Sequence, residues 1–299
     1  MARARRPPAE RVRDRLAAVA GEAVACTMPS GYQRLGRVLV LRLPESLRPH
    51  FATLGSAWQE VLRVETVLVR TGPIEGELRH PRTETIAGRE TETEVIEHGV
   101  HWRFDAAQVM FAAGNRTERR RAGRLVRAGE SVADLFAGIG YFAIPAAQSG
   151  RADRVVAVEK NPVAFRYLEL NARANGVEDR LHPILGDNRE VGPPPGSVDR
   201  VFLGLLPTAV PWVPRAIGLL RRGDGWLHVH TVVDARGAVA AAVTEVEESV
   251  RATGSSAAEA VGREVKPYGP GRTHVVVDVR VQAPAGRARS VPGSAGTGI

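Results

Sequence analysis

The spacing of apolar and polar residues changes along the chain, and each change predicts a different element. In residues 1 to 28, Val12, Leu16, Val19 and Val24 recur at helical spacing among arginines and alanines, which predicts a basic arm or a short helix. Gly36 to Leu43 reads as a strand. Leu47 to Leu62 reads as a helix with Phe51, Leu54, Trp58 and Leu62 on one face, and Val64 to Arg70 as another strand. The Thr/Glu-rich stretch 83–97 predicts an exposed hairpin. Residues 29–100 together predict a small α+β domain.

From residue 101, and most clearly from Asn115, strands alternate with helices, which predicts a parallel sheet covered on both faces. Asn115-Arg-Thr-Glu118 has the spacing of a capping box. The following Arg116, Arg119, Arg120 and Arg121 read individually as a solvated helix face or as ligand-binding cations. Asn161-Pro162 opens a helix with a cap and a first-turn proline, and Val163, Tyr167, Leu168 and Leu170 are its apolar positions. Val198 to Leu203 and Trp226 to Thr231 supply two more strands. Val239, Val243, Val246 and Val250 stripe a helix over 236–253. Arg263 to Pro267 and the alternating Thr273 to Val281, joined by Gly269-Pro-Gly271, predict a β-hairpin. Residues 101–282 form the second domain, and 283–299, rich in Pro, Gly, Ser and Arg, predict a disordered tail.

Chemistry concentrates where strands end. Val132-Ala-Asp-Leu-Phe-Ala-Gly-Ile-Gly-Tyr-Phe142 is an apolar strand running into a glycine turn, the form in which a buried strand brings backbone close to a ligand. Gly138, Gly140 and Ala143 also fit the dinucleotide fingerprint G-x-G-x-x-A, so the glycines alone leave the ligand open. Glu159, closing the next strand, suits ribose hydroxyls of either ligand. Asp134 inside the first strand can face an ammonium or cap the glycine turn, and Asp187-Asn188 after the third can accept from an adenine amine. These acids favour S-adenosylmethionine over a dinucleotide. Five parallel strands plus a C-terminal β-hairpin is the Rossmann-like α/β arrangement of class I methyltransferases, here with a small N-terminal α+β domain.

Composition narrows the setting. The 299 residues are 43% hydrophobic, enough for ordinary cores. The net charge of +8 favours a polyanionic partner such as RNA, although the near absence of lysine, with only Lys160 and Lys266, reads as codon bias. No apolar run approaches the roughly 20 residues that span a bilayer. With no signal peptide at the N-terminus, a cytoplasmic location is expected. The single Cys26 excludes an internal disulfide and a cysteine-ligated cluster, and no metal site is expected.

Taken in order, Asp134-Leu-Phe-Ala-Gly-Ile-Gly140, Val158-Glu-Lys-Asn-Pro162 and Gly186-Asp-Asn-Arg189 resemble a group of tRNA-modifying enzymes acting on the guanosine 3′ of the anticodon. The likeness covers about residues 30 to 282. One branch methylates N1 of that guanosine; the other, in wyosine synthesis, transfers the 3-amino-3-carboxypropyl group of S-adenosylmethionine onto a tricyclic guanine. Met110-Phe-Ala-Ala-Gly-Asn115 is similar to the Met-Phe-Ser-x-Gly-Asn of the wyosine enzymes, with Ala112 in place of Ser. Leu203-Gly-Leu-Leu-Pro207 is similar to their Gly-Leu-(Leu/Ile)-Pro, where the methyltransferases carry Asn-Leu-Pro. Val265-Lys-Pro-Tyr-Gly-Pro270 and His274 fit both branches.

The resemblance implies S-adenosylmethionine as cofactor and tRNA as partner, for a chain expected to be monomeric. It places Ala112, Arg119, Asp134, Phe136, Ala137, Gly138, Gly140, Glu159, Lys160, Asn161, Asp187, Asn188 and Gly204 at the cofactor. Arg119 would pair with the cofactor carboxylate, as a bidentate guanidinium does well. Arg34, Arg37, Arg79 and Arg82 are candidates for phosphate contacts. No catalytic residue is assigned, and His228, His230 and His274 read first as structural. The guanosine N1-methyltransferase and a non-catalytic RNA-binding protein stand as alternatives.

Overall fold

The computed structural model describes residues 6–284. The expected tail lies almost wholly outside the described residues. The chain packs as two compact units, one of residues up to Thr117 with Gly138–Gly140 and Lys160–Glu178, the other of Glu118–Ala137, Tyr141–Glu159 and the chain from Asp179 onward. A division near residue 100 would cut a paired hairpin in the first unit.

In the first unit, the N-terminal segment is no arm. It forms helices α1 (Pro8–Ala20) and α2 (Glu22–Cys26), whose Val12, Leu16 and Ala25 enter a core with Leu54 and Trp58. Strands β1 (Tyr32–Leu35), β2 (Val38–Leu41), β3 (Thr66–Arg70) and β4 (Thr83–Ala87) make a sheet in that order, with β2 and β3 parallel. The helix expected from Leu47 divides, since Pro49 lacks an N–H for the ladder: residues 45–50 form a 3-10 turn, and α3 (Phe51–Leu62) follows.

The expected hairpin over 83–97 does not form. β4 pairs with β3, whereas β5 (Glu92–Glu97) pairs antiparallel with β6 (Val100–Asp105) in a separate two-stranded sheet. The Thr/Glu pattern resembled one ladder because both strands are half-exposed. Helix α4 (Arg116–Leu125) and α5 (Ala143–Gln148) belong to the second unit, α4 from Glu118 onward, and α6 (Pro162–Ala174) to the first. Asn161 caps α6 as expected, its Oδ1 accepting from the amides of Val163 and Ala164. Two further asparagines satisfy the free edge of β6. Asn171 bonds both backbone groups of Arg103, at 2.8 and 3.1 Å, and Asn175 both groups of His101, at 2.9 and 2.8 Å. Four residues of helix and two of strand each span roughly 6–7 Å, so the two spacings match.

The second unit holds β7 (Ser131–Asp134), β8 (Arg154–Glu159), β9 (Leu181–Leu185), β10 (Arg200–Leu203), β11 (Gly225–Asp234), β12 (Ser256–Gly269) and β13 (Arg272–Gln282) in one seven-stranded sheet. Its order is β12-β13-β11-β10-β7-β8-β9. Five strands are parallel, and β13 is antiparallel to both β11 and β12, as expected. The core beneath includes Val201, Leu227, Val246 and Val277, with α7 (Val213–Leu219) and α8 (Ala238–Arg251) packed on it. The Asn115–Glu118 capping box is absent: Asn115 Oδ1 takes no hydrogen bond, and the Glu118 carboxylate is bound by Arg263 and Arg121.

Candidate functional site

Parallel strands share one carboxyl edge, and the register brings the expected acids of the second unit to it. Asp134 closes β7 and faces Ala157 of β8 and Phe202 of β10, while Glu159 closes β8 opposite Leu185. Beyond the strands the edge is fixed by further backbone bonds, Leu135 to the Phe202 carbonyl, Ala137 to Val158 and Gly186 to Glu159. Asp187 and Asn188 follow β9, and Gly204 follows β10.

Asp134 is fully buried at 0% exposure, and its oxygens accept from the amides of Phe136 and Ala143, each at 3.2 Å. It therefore holds the turn that leaves β7. Burial pushes its carboxyl up to about 7, against the pull of those amides and with a further push from Glu159. Ala137 is buried, and Phe136 packs edge-to-face on Trp212 with ring centroids 5.3 Å apart. Gly138 and Gly140 have φ of 57° and 103°, a backbone that favours glycine.

Asp187 is engaged by Arg189, whose Nε and backbone amide both reach Oδ1 at 2.9 Å. Asn188 donates to the Leu135 carbonyl at 2.8 Å and leaves its buried Oδ1 without a partner. An unmet buried acceptor at this edge fits a ligand amine. A Cβ on Gly204 would meet Phe142 Cε2 at 2.7 Å, so glycine lets the Phe142 ring close over the end of β10. That ring also stacks on Phe202 and His230.

Arg119 is not on a solvated face. It is 3% exposed, its guanidinium 5.7 Å from the Tyr141 ring. Burial, and then the Arg119 charge, pulls the half-buried Lys266 ammonium below its ordinary value. A buried guanidinium beside a half-buried ammonium fits a carboxylate ligand. Arg116 and Arg120 are exposed, as a solvated face requires.

In the first unit, Ala112 is half-buried in extended backbone before the turn Ala113–Asn115. Lys160 pairs with Glu77 at 2.8 Å. Asn161, besides capping α6, donates to the Leu78 carbonyl at 2.9 Å. Both side chains thus hold neighbouring chain. Of the arginines expected on phosphate, Arg37 pairs with Glu65 and Arg82 with Glu75, Arg34 donates to the Gly36 carbonyl, and Arg79 reaches the Met110 sulfur.

The histidines are buried. Arg200 donates to His228 Nε2 at 2.7 Å, so Nδ1 carries the proton that goes to Asp278. His230 Nδ1 and His274 Nε2 are 2.8 Å apart. Burial holds both rings below the usual imidazole range, with a further push on His230 from the His274 ring and on His274 from Lys266, and His274 comes to about 4. The composition gave no sign of this network or of Phe142 over Gly204; the one signal was an acid, Asp278, at an inward position between valines. Among the described residues no group of three or more His, Cys, Asp or Glu is placed to hold a metal ion, and no helix is long and apolar enough to cross a membrane.

Residues 93–257 match the TRM5/TYW2 methyltransferase domain, and residues 12–91 match the TYW2 N-terminal domain. The tRNA(Phe) (4-demethylwyosine(37)-C(7)) aminocarboxypropyltransferase of Pyrococcus horikoshii is 33% identical over 91% of this chain and 96% of its own length. The crystal structure of P. horikoshii TYW2 in complex with MeSAdo superposes with a TM-score of 0.79 at 30% identity, covering 91% of this chain and 98% of that one. The crystal structure of wild-type Trm5b from Pyrococcus abyssi superposes with a TM-score of 0.75 at 31% identity, covering 87% of this chain but 77% of that one. With an S-adenosylmethionine-type glycine turn and three strand-end acids on the matching sheet, the chain belongs to the TRM5/TYW2 family.

Proposed function

We propose that this protein transfers the 3-amino-3-carboxypropyl group of S-adenosylmethionine to C7 of 4-demethylwyosine at position 37 of tRNA(Phe). The observation that carries this reading is the TYW2 N-terminal domain over residues 12–91, ahead of the shared catalytic domain. The 33% identity to the P. horikoshii aminocarboxypropyltransferase over 91% of this chain supports it. So do Met110-Phe-Ala-Ala-Gly-Asn115 and Gly204-Leu-Leu-Pro207, which lack the arginine and asparagine expected of the methyltransferases.

Bound S-adenosylmethionine supplies a sulfonium with three electrophilic carbons, and alignment decides which one reacts. Arg119 grips the carboxylate so that the γ-carbon rather than the methyl faces the base. Glu159 takes the ribose hydroxyls, Asp187 and Asn188 the adenine edge, and Asp134 supports the glycine turn behind them. A C–C bond forms from C7 to the γ-carbon as the C–S bond breaks with its electrons to sulfur, and C7 then loses its proton. The departing methylthioadenosine is neutral, so no general acid is required, and the C7 proton passes to solvent water. The protein acts as a cytoplasmic monomer without a metal; a scattering mass near 32.2 kDa and activity undiminished by EDTA are expected.

The test is to supply precursor-bearing tRNA with cofactor labelled on the methyl or on the carboxyl carbon. Carboxyl label in the RNA is expected; methyl label alone would assign the chain to the guanosine N1-methyltransferases instead.

A further inference from the structure

Within the first unit several arginines are neutralised by carboxylates. Arg15 pairs with Glu60, Arg37 with Glu65, Arg48 with Glu45 and Glu84, and Arg82 with Glu75. Arg42 and Arg70 differ. They follow the last registered pair of the parallel strands β2 and β3, Leu41 and Val69, so they lie side by side. Among the described residues no carboxylate pairs with either. Arg70 is half-buried, and its one hydrogen bond to the protein is a long one, 3.4 Å to Gln33 Oε1. Burial, and then the Arg42 charge, pulls its guanidinium below the ordinary value.

Two like charges on adjacent strands destabilise a sheet. Here an anion would reverse the sign of that interaction, and the unmet guanidinium donors suit an oxyanion rather than a single acceptor. The position gives the anion an identity. Gln33, which accepts from Arg70, donates through Nε2 to the Phe111 carbonyl at 2.9 Å, one residue before Ala112. Arg79 reaches Met110 Sδ, at 3.8 Å, in the same segment. Arg79 directly, and Arg70 through Gln33, therefore bear on Met110-Phe-Ala112, whose Ala112 the resemblance places at the cofactor and so next to the reacting nucleotide.

We propose that Arg42 and Arg70 form a phosphodiester-binding pair that grips the tRNA backbone beside the modified nucleotide, with Gln33 coupling that grip to the 110–112 segment. The assignment rests on tRNA being the substrate. A phosphate contact carries no base information, so it sets position and affinity, and its loss removes counterion release.

The experiment is tRNA binding by fluorescence anisotropy across a KCl series, on wild type, Arg42→Ala, Arg42→Ala/Arg70→Gln and the control Arg48→Ala. For the double variant, affinity at 0.1 M KCl should fall about tenfold, and the slope of log K against log salt should shrink by about 0.7 to 0.9. Arg42→Ala, at an exposed position, should show part of both effects, and Arg48→Ala neither. S-adenosylmethionine binding by calorimetry should be unchanged in all variants, which reports that they are folded. Wild-type affinity and slope in the double variant would overturn the pair. Absence of tRNA binding by the wild type would instead overturn the substrate reading on which the pair rests.

Discussion

His228 Nδ1 lies 2.6 Å from Asp278 Oδ1, across the register pair that joins β11 to β13. The contact is one link of a buried chain: Glu130 takes Arg200 in a bidentate pair, Arg200 donates to His228, His228 to Asp278, and Arg121 of α4 closes on Asp278. Burial alone would raise the Asp278 carboxyl, but His228 and Arg121 outweigh it and bring it to about 2. Asp278→Asn removes the carboxylate that pairs with Arg121 and accepts from His228, and a loss of about 3 kcal/mol in urea unfolding at pH 7 is expected. Because the folded value lies below the unfolded one of about 3.9, this contribution is complete above pH ~4 and is lost as pH falls toward 2. The variant should therefore converge on wild type in acid, and an equal deficit throughout would show that the charge is not the cause.

Arg119 sits between Glu118 and Arg121, both held by the β12–β13 hairpin. Its own contribution separates by ligand. Arg119→Ala should weaken S-adenosylmethionine by about 10- to 100-fold, and Arg119→Lys by less, whereas methylthioadenosine, which lacks the carboxylate, should bind all three proteins alike. Calorimetry with both ligands checks this; parallel losses for both would return Arg119 to a packing role.

The sheet was legible in the sequence because its strands are continuous apolar runs ending in glycines and acids, and buried parallel strands leave few alternatives. The first unit was harder. Pro49 divides a helix that its apolar spacing continues, and β4 and β5 resemble one hairpin because each is half-exposed. At the site, chain position located Asp134, Glu159 and Gly204, but not which side chains serve the chain itself. Asn161 and Lys160 bond Leu78 and Glu77, residues more than 80 positions away, and no local pattern encodes such contacts. Arg119 and Arg116 are three residues apart and equally charged, yet one is buried and one exposed. Only packing distinguishes them.

Asp134 makes cofactor affinity depend on pH. Its folded value of about 7 exceeds the unfolded value of about 3.9, so the protonated acid stabilises the free protein at low pH, and that stability is lost as pH rises from ~4 through 7. A cationic ligand near the turn favours the carboxylate, so binding releases a proton below pH 7. Affinity for S-adenosylmethionine should rise several-fold from pH 6 to pH 7.5 and then level. Asp134→Asn should flatten that profile, and an unaltered slope in the variant would assign the dependence to another group.

Gly204 tests whether the close approach of Phe142 matters to the site. Ala at 204 places a Cβ 2.7 Å from Phe142 Cε2, and the ring cannot turn freely because it is stacked between Phe202 and His230. Overpacking of this kind costs about 1–3 kcal/mol. Gly204→Ala should lower thermal stability accordingly and weaken S-adenosylmethionine and methylthioadenosine together, because the ring follows the glycine turn shared by both ligands. Combining it with Phe142→Leu, which frees the space, should recover most of the stability. A double variant no more stable than Gly204→Ala would place the cost in the backbone of the Leu203-Gly-Leu-Leu-Pro207 segment rather than in the ring.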